Sequence, residues 1–258
     1  MQTTYQLTDQ SQLLAYLETD RLYAAYAIGD LEPEMAEQCT WAGAVEAGRI
    51  RALALHFRGL AIPALFLMGE PDGLRAIFER TLRSERVYFT CLDAHLPVTR
   101  EFYRWDYEEP MWRMAVSAAA FRPTGGDCAR LAPGCADQLM ALFALGGGDA
   151  FTPAQMAQGV FYGILVDGRP VAVAGTHLVS PTYRVAAVGN VFTHPDFRGR
   201  GYGTSATSAV VAELLRGGIQ DIVLNVSQAN AGAIRVYERL GFTRYCPFVE
   251  GTATARDR

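Results

Sequence analysis

Arg198-Gly199-Arg200-Gly201-Tyr202-Gly203-Thr204 is the stretch from which the rest of the chain can be ordered. Tyr183 to Thr193 ahead of it reads as a strand, which His194-Pro195-Asp196 stops; Thr204 to Leu215 behind it reads as a helix. Glycine lets a backbone turn left-handed and approach a ligand closely, and the first amides of a helix are unpaired donors. The helix dipole adds roughly half a positive charge at that end. With Arg198 and Arg200 supplying full charges, the segment suits a pyrophosphate held without a metal. Two other readings compete. The segment could be a plain solvated turn, or Gly201 to Ala206 could be a G-x-G-x-x-A dinucleotide fingerprint. In a dinucleotide fold the first glycine follows the strand directly, and the acidic residue ends the next strand. Here Pro195, Arg198 and Arg200 intervene, and Asp221 opens the next strand.

Working outward, Asp221 to Val226 reads as a strand. Asn230 to Leu240 reads as a helix on the spacing of Ala233, Val236, Tyr237 and Leu240, with Gly241 as its stop. Upstream, Asp167-Gly168-Arg169-Pro170 separates two β-prone runs, Tyr162 to Val166 and Val171 to Leu178, and predicts a hairpin; Ser180-Pro181-Thr182 predicts the next turn. Ala136 to Leu145 predicts a helix ended by Gly146-Gly147-Gly148, and Thr152-Pro153 the start of another. Arg122 to Asp127 is rich in turn formers and marks a domain boundary. Before it, Ala61 to Met68, Gly73 to Arg83 and Val87 to Leu92 read as strand, helix and strand, followed by a helix ending in Phe102-Tyr103. Val87 to Tyr103 matches Ile222 to Tyr237 in spacing to within one residue, which predicts an internal duplication; strand-helix units of common length are the alternative.

Composition narrows the function. At 258 residues and 50% hydrophobic the chain can fill two cores, and no apolar run approaches the roughly 20 residues of a membrane helix. The N-terminus carries no leader pattern, so a cytoplasmic protein without membrane contact is expected. A net charge of −4 argues against a nucleic-acid surface. The cysteines (Cys39, Cys91, Cys128, Cys135, Cys246) and histidines (His56, His95, His177, His194) show no metal-ligand spacing, so no metal is expected. The chain contains no lysine, which excludes Schiff-base chemistry.

Arg198, Gly201 and Gly203, placed behind a strand ending in Thr193-His194-Pro195, form an R-x-x-G-x-G that resembles the pyrophosphate-binding motif of the GNAT N-acetyltransferases. Leu224-Asn225-Val226, Asn230, Ala233, Tyr237 and Leu240-Gly241-Phe242 resemble that family's second coenzyme A motif. The likeness covers about Cys128 to Phe248 and is similar to tandem members with a degenerate first domain. It implies an α/β fold with a mixed sheet and two tandem acyl-CoA N-acyltransferase domains: residues 1–125 degenerate, residues 126–258 binding acetyl-coenzyme A. The stretch from Met68 to Arg83 has no R-x-x-G-x-G, so the first domain is expected to bind no coenzyme.

The resemblance further implies an enzyme that moves an acetyl group from acetyl-coenzyme A to an amine of a small molecule or peptide by direct attack, as a monomer or homodimer. The backbone of Val191, Phe192 and Thr193 would hold the pantetheine arm, between two strands that splay apart, and an amide at Val191 or Phe192 would face the oxyanion. Arg198, Gly199, Arg200, Gly201, Tyr202, Gly203 and Thr204 would cradle the diphosphate, with Asn225, Asn230, Ala233 and Tyr237 completing the coenzyme site; Asn230 could equally be only a helix cap. Tyr237 takes the position of the general acid, or packs against the coenzyme. Ala187 stands where the family often has a glutamate base, which leaves His177 as the nearest base by type, unless it is a packed strand residue and water relayed to a carboxylate of either domain does the work. The missing base also admits a non-catalytic acyl-coenzyme A sensor, and a longer acyl chain is a third reading.

Overall fold

The computed structural model describes residues 3–147 and 151–257, which form two compact units, Met1–Trp112 with Cys246–Arg258, and Arg113–Tyr245. In chain order the first unit contains β1 (Thr3–Leu7), α1 (Gln10–Leu17), α2 (Ala25–Gly29), β2 (Cys39–Glu46), β3 (Arg49–Phe57), β4 (Ala64–Gly69), α3 (Pro71–Arg80), β5 (Arg86–Cys91), α4 (Leu96–Phe102), β6 (Tyr103–Trp105) and the start of β7 (Glu109–Val116). The second contains β8 (Ala129–Arg130), α5 (Ala136–Phe143), α6 (Gln155–Gln158), β9 (Tyr162–Val166), β10 (Arg169–Ser180), β11 (Val185–Thr193), α7 (Tyr202–Arg216), β12 (Asp221–Ser227) and α8 (Ala231–Arg239). A last strand, β13 (Thr243–Ala255), lies mostly in the first unit.

Nine elements therefore recur in the same order, β1 to α4 without β6 in one unit and β8 to α8 in the other. Their strands pair in the order β1-β2-β3-β4-β5 and β8-β9-β10-β11-β12, and in each sheet only the last pair is parallel. A parallel pair needs a crossover, which α3 and α7 supply. The expected α/β fold with a mixed sheet, built twice, is the one observed.

Local chemistry explains the elements of the second unit. Asp167 and Gly168 both take positive φ, 50° and 73°, the geometry of a two-residue hairpin turn whose twist matches its strands. The core gathers Leu139, Leu142 and Phe143 of α5, Met156 of α6, Phe161 just ahead of β9, and Val173 and Phe192 of the sheet. In the first unit α3 buries Leu74, Ile77 and Phe78 against a core containing Leu65, Leu67, Val87 and Phe89. Among the described residues no helix is long and apolar enough to cross a membrane.

Several sequence boundaries move. Pro170 lies inside β10, tolerated because the pairing with β9 is irregular between Pro170 and Ala172. Tyr183 and Arg184 are turn, Arg184 at φ 55°, so β11 starts at Val185. Thr152 does not cap the next helix: its amide donates to Gln155 Oε1 at 2.9 Å, and α6 begins at Gln155 with Ala154 before it. Gly148 lies outside the described residues. Tyr103, matched to Tyr237 by spacing, sits on a strand and accepts a hydrogen bond from the Ser84 amide, because α4 ends one residue earlier. Cys246–Arg258 joins the first unit, not the second, because β13 pairs with β5 from Val249 to Thr254. The chain leaves the first unit after Trp112, ahead of the turn-rich segment.

Candidate functional site

β11 and β12 pair only from Val185/Asp221 to Val188/Leu224. Beyond that rung β11 runs on through Gly189–Thr193 and β12 through Asn225–Ser227 with no pairing between them, so the edge of β11 facing the gap keeps backbone groups for another partner. A bulge accompanies the parting. Gly189 faces Gly175 and Phe192 faces Val173, so three steps of β11 cover two of β10, and Asn190 takes φ 51°. This is the splay expected at Val191, Phe192 and Thr193. Phe192 packs its ring with Phe143 in the core, leaving its backbone as the group available to a ligand.

The glycine-rich segment follows. Gly199 and Gly201 have φ of 76° and 81°, and a side chain on either would point into open space. Gly201 precedes α7 as its cap residue with no side-chain capping bond, so the first amides of a 15-residue helix face outward uncapped. Arg198 donates from Nε to the Thr193 carbonyl at 3.2 Å and lies over the Phe192 ring at 5.7 Å. Arg200 donates to the Asp196 carbonyl and lies over Phe197 at 5.0 Å. Both arginines are exposed, held by weak contacts they can exchange for phosphate oxygens. Tyr202 packs against the buried cluster of Ile164, Val171 and Ala172, which anchors the helix entrance. Gly203 has Thr193 Oγ1 at 3.3 Å from where a Cβ would stand, and Thr204 is half-buried in the first turn. His194 accepts a hydrogen bond from the Asp196 amide at its Nδ1, a turn-forming contact.

Tyr237 projects from α8 and is buried beside Phe242, ring centroids 5.9 Å apart. Among the described residues its hydroxyl makes no hydrogen bond. Burial pushes its pKa up to about 12, so the group carries its proton throughout the neutral range. Asn230 is the N-cap of α8, its side chain accepting from the Ala233 amide at 3.0 Å, so the capping role is the one seen. Asn225 is the first residue of β12 past the last rung.

Ala187 is fully buried mid-strand, paired with Leu178 and Val223. His177 sits in a second irregularity of β10, between Thr176 and Leu178, its ring over Gly189; a Cβ on that glycine would collide with it. Burial lowers the His177 pKa to about 4, which makes it neutral but weakly basic. Asn190 was not read from the sequence, although Gly189-Asn190 interrupts an apolar run. It is 6% exposed and donates from Nδ2 to Gln155 Oε1 at 3.4 Å.

A cavity of about 690 Å³ lined by Pro181, Arg184, Leu215 and Gln220 lies at the opposite end of α7. Fifteen residues of helix put it about 20 Å from the glycines, at the negative end of the dipole, so it does not serve an anion bound at the entrance.

The corresponding place in the first unit differs. β4 and β5 also stop pairing, after Phe66/Thr90, but the carbonyls of β4 beyond that rung are taken from within: Tyr23 donates to Leu67 at 2.8 Å, and the His95 ring bonds Gly69 at 3.0 Å. The entrance of α3 carries Glu70 and Asp72, with Pro71 offering no amide proton.

Residues 142–242 match the model of the acetyltransferase (GNAT) family, and this segment belongs to that family. A mycothiol acetyltransferase of Thermobispora bispora is 45% identical over 51 residues, 20% of this chain and 17% of that protein. The [ribosomal protein bS18]-alanine N-acetyltransferase of Salmonella typhimurium is 33% identical over 94 residues, 34% of this chain and 62% of that protein. The matches thus span between 17% and 62% of the curated relatives' length. A tandem GNAT protein from the clavulanic acid biosynthesis pathway superposes with a TM-score of 0.60 over 100% of both chains at 14% identity, a likeness of fold in both halves.

Proposed function

We propose that the C-terminal unit binds acetyl-coenzyme A and transfers its acetyl group to an amine of a small molecule or peptide by direct attack. One observation carries this reading: β11 and β12 part at Val188 and Leu224 directly ahead of an uncapped helix entrance opened by Gly199 and Gly201. In it, the first amides of α7 with Arg198 and Arg200 take the diphosphate, and the backbone of Val191 to Thr193 takes the pantetheine amides. An amide at Val191 or Phe192 stabilises the oxyanion. Tyr237, buried and protonated, returns a proton to the leaving thiolate.

The amine must arrive neutral, and its proton leaves from a group with a pKa of roughly 10. Ala187 has no proton acceptor. We assign His177 a packing role, because a pKa of about 4 makes it a far weaker acceptor than that transfer needs. A water that relays the proton to a carboxylate is then the acceptor we assign. The first unit we assign as a degenerate copy that binds no coenzyme, since Tyr23 and His95 occupy the carbonyls of β4 and the acidic entrance of α3 repels phosphate. The buried Ala187 favours one rival reading, a sensor that binds acyl-coenzyme A without turnover.

The test is release of free coenzyme A thiol from acetyl-coenzyme A with a panel of amines: L-alaninamide, a peptide with N-terminal alanine, glucosamine and spermidine. The alanine acceptors follow the activity named for the Salmonella relative. Amine-dependent release supports transfer; tight coenzyme binding with no release for any amine supports the sensor.

A further inference from the structure

The bulge in β11 buries a polar side chain that the coenzyme site does not use. Asn190 sits two residues past the last β11–β12 rung, directly before the Val191 amide, in a left-handed backbone conformation that asparagine tolerates better than most residues. Its carboxamide orientation is determined by its neighbours. The Thr152 amide can only donate, and it meets Gln155 Oε1 at 2.9 Å. That fixes the Gln155 oxygen, so the Asn190 atom facing it at 3.4 Å is the donor Nδ2. Asn190 Oδ1 therefore points elsewhere. It is buried and, among the described residues, has no hydrogen-bond partner. An unpaired buried carbonyl oxygen is costly and rare in a folded chain, and this one belongs to the residue that immediately precedes the backbone assigned to the thioester.

We propose that Asn190 is a positioning residue for the acceptor: its Oδ1 accepts a hydrogen bond from an N–H of the attacking primary amine, aiming the nitrogen lone pair at the thioester carbon. The inference rests on the acetyl-transfer reading above. An amide oxygen is too weakly basic to take the proton, so Asn190 orients the amine and does not ionise it. In the step, the lone pair forms the N–C bond and the C–S electrons leave on sulfur, which receives the Tyr237 proton; solvent takes the surplus proton of the nitrogen and reprotonates Tyr237. A primary amine loses one proton and keeps another for Oδ1. A secondary amine has no second one to keep, so the site selects primary amines. The Gln155 side chain, held by a backbone amide, is what keeps the oxygen aimed.

The experiment uses the panel amine with the highest kcat/KM and its N-methyl derivative, with the full chain. Asn190→Gly preserves the left-handed backbone while deleting the oxygen. Gln155→Leu leaves the oxygen but removes what orients it. The expected result for Asn190→Gly is a rise of about tenfold in the KM of the primary amine, the size of one lost hydrogen bond, with the KM for acetyl-coenzyme A moving by less than about twofold. The preference for the primary amine over its N-methyl derivative should collapse with it, and Gln155→Leu should shift both in the same direction by less. An unchanged preference in both variants, or a loss carried by acetyl-coenzyme A, overturns the proposal while leaving acetyl transfer intact. If the wild-type chain acetylates no amine, the parent reading fails first and this one falls with it.

Discussion

The imidazole of His177 lies over the Cα of Gly189 on the neighbouring strand, in space that exists only because residue 189 has no side chain. Gly189→Ala is therefore expected to cost about 1–3 kcal/mol, the range for overpacking a filled interior, measured as a lower urea midpoint. In the double variant with His177→Ala most of that loss should return, because the colliding ring is gone. A Gly189→Ala loss that persists in full without the ring would contradict the packing.

The same burial gives a pH dependence. His177 titrates at about 4 in the folded chain, below its ordinary 6.5, so the unfolded chain binds the proton first as pH falls. The contribution to stability is complete above pH 6.5 and is lost progressively down to about pH 4. His56 and His95 are lowered in the same direction by burial. The urea midpoint should thus drop between pH 6.5 and 4.5, and His177→Gln should shrink that drop. Turnover of His177→Gln within about tenfold of wild type fits a packing residue, whereas a fall of about 10²-fold or more would mark it as the proton acceptor.

Tyr237→Phe removes a buried hydroxyl that makes no hydrogen bond among the described residues, so little stability should be lost with it. If Tyr237 is the acid, kcat falls by roughly 10²–10⁴ while the affinity for acetyl-coenzyme A stays within about twofold. Near-normal turnover in pre-steady-state and steady-state assays removes that role.

Asn230→Ala deletes a helix cap seen at 3.0 Å and should cost about 0.5–2 kcal/mol of stability. Asn230→Ser should restore most of it. A change in acetyl-coenzyme A affinity that serine fails to restore would show that the side chain also meets the ligand.

Much of the second unit could be read from the sequence because several of its turns have a chemical cause in the chain: Asp167-Gly168, the Asn230 cap, Gly241 at φ 94°, and the glycines before Tyr202. The strand and helix types from Tyr162 to Leu240 follow those signals, with ends displaced by up to a few residues. The first 57 residues were not legible. α1 and α2 are short, and β2 and β3 each carry two alanines among mixed neighbours, so neither period stands out. β13 escaped for another reason: its place is set by pairing with β5, more than 150 residues away, which no local pattern records. At the site, the loop and Tyr237 carry motif spacing. The splay and the left-handed Asn190 depend on where two strands stop pairing, and only the register reveals that.

Isothermal titration of acetyl-coenzyme A into the wild-type chain and into Gly201→Val tests the helix-entrance assignment most directly. Gly201 holds φ 81° with open space before it, where a branched side chain is both strained and in the way of a diphosphate. Wild type should bind one equivalent. The variant, with unchanged circular dichroism, should bind at least about 100-fold more weakly, a difference of roughly 2.7 kcal/mol. Equal affinity in the two chains, or no heat of binding with the wild type, would contradict the account.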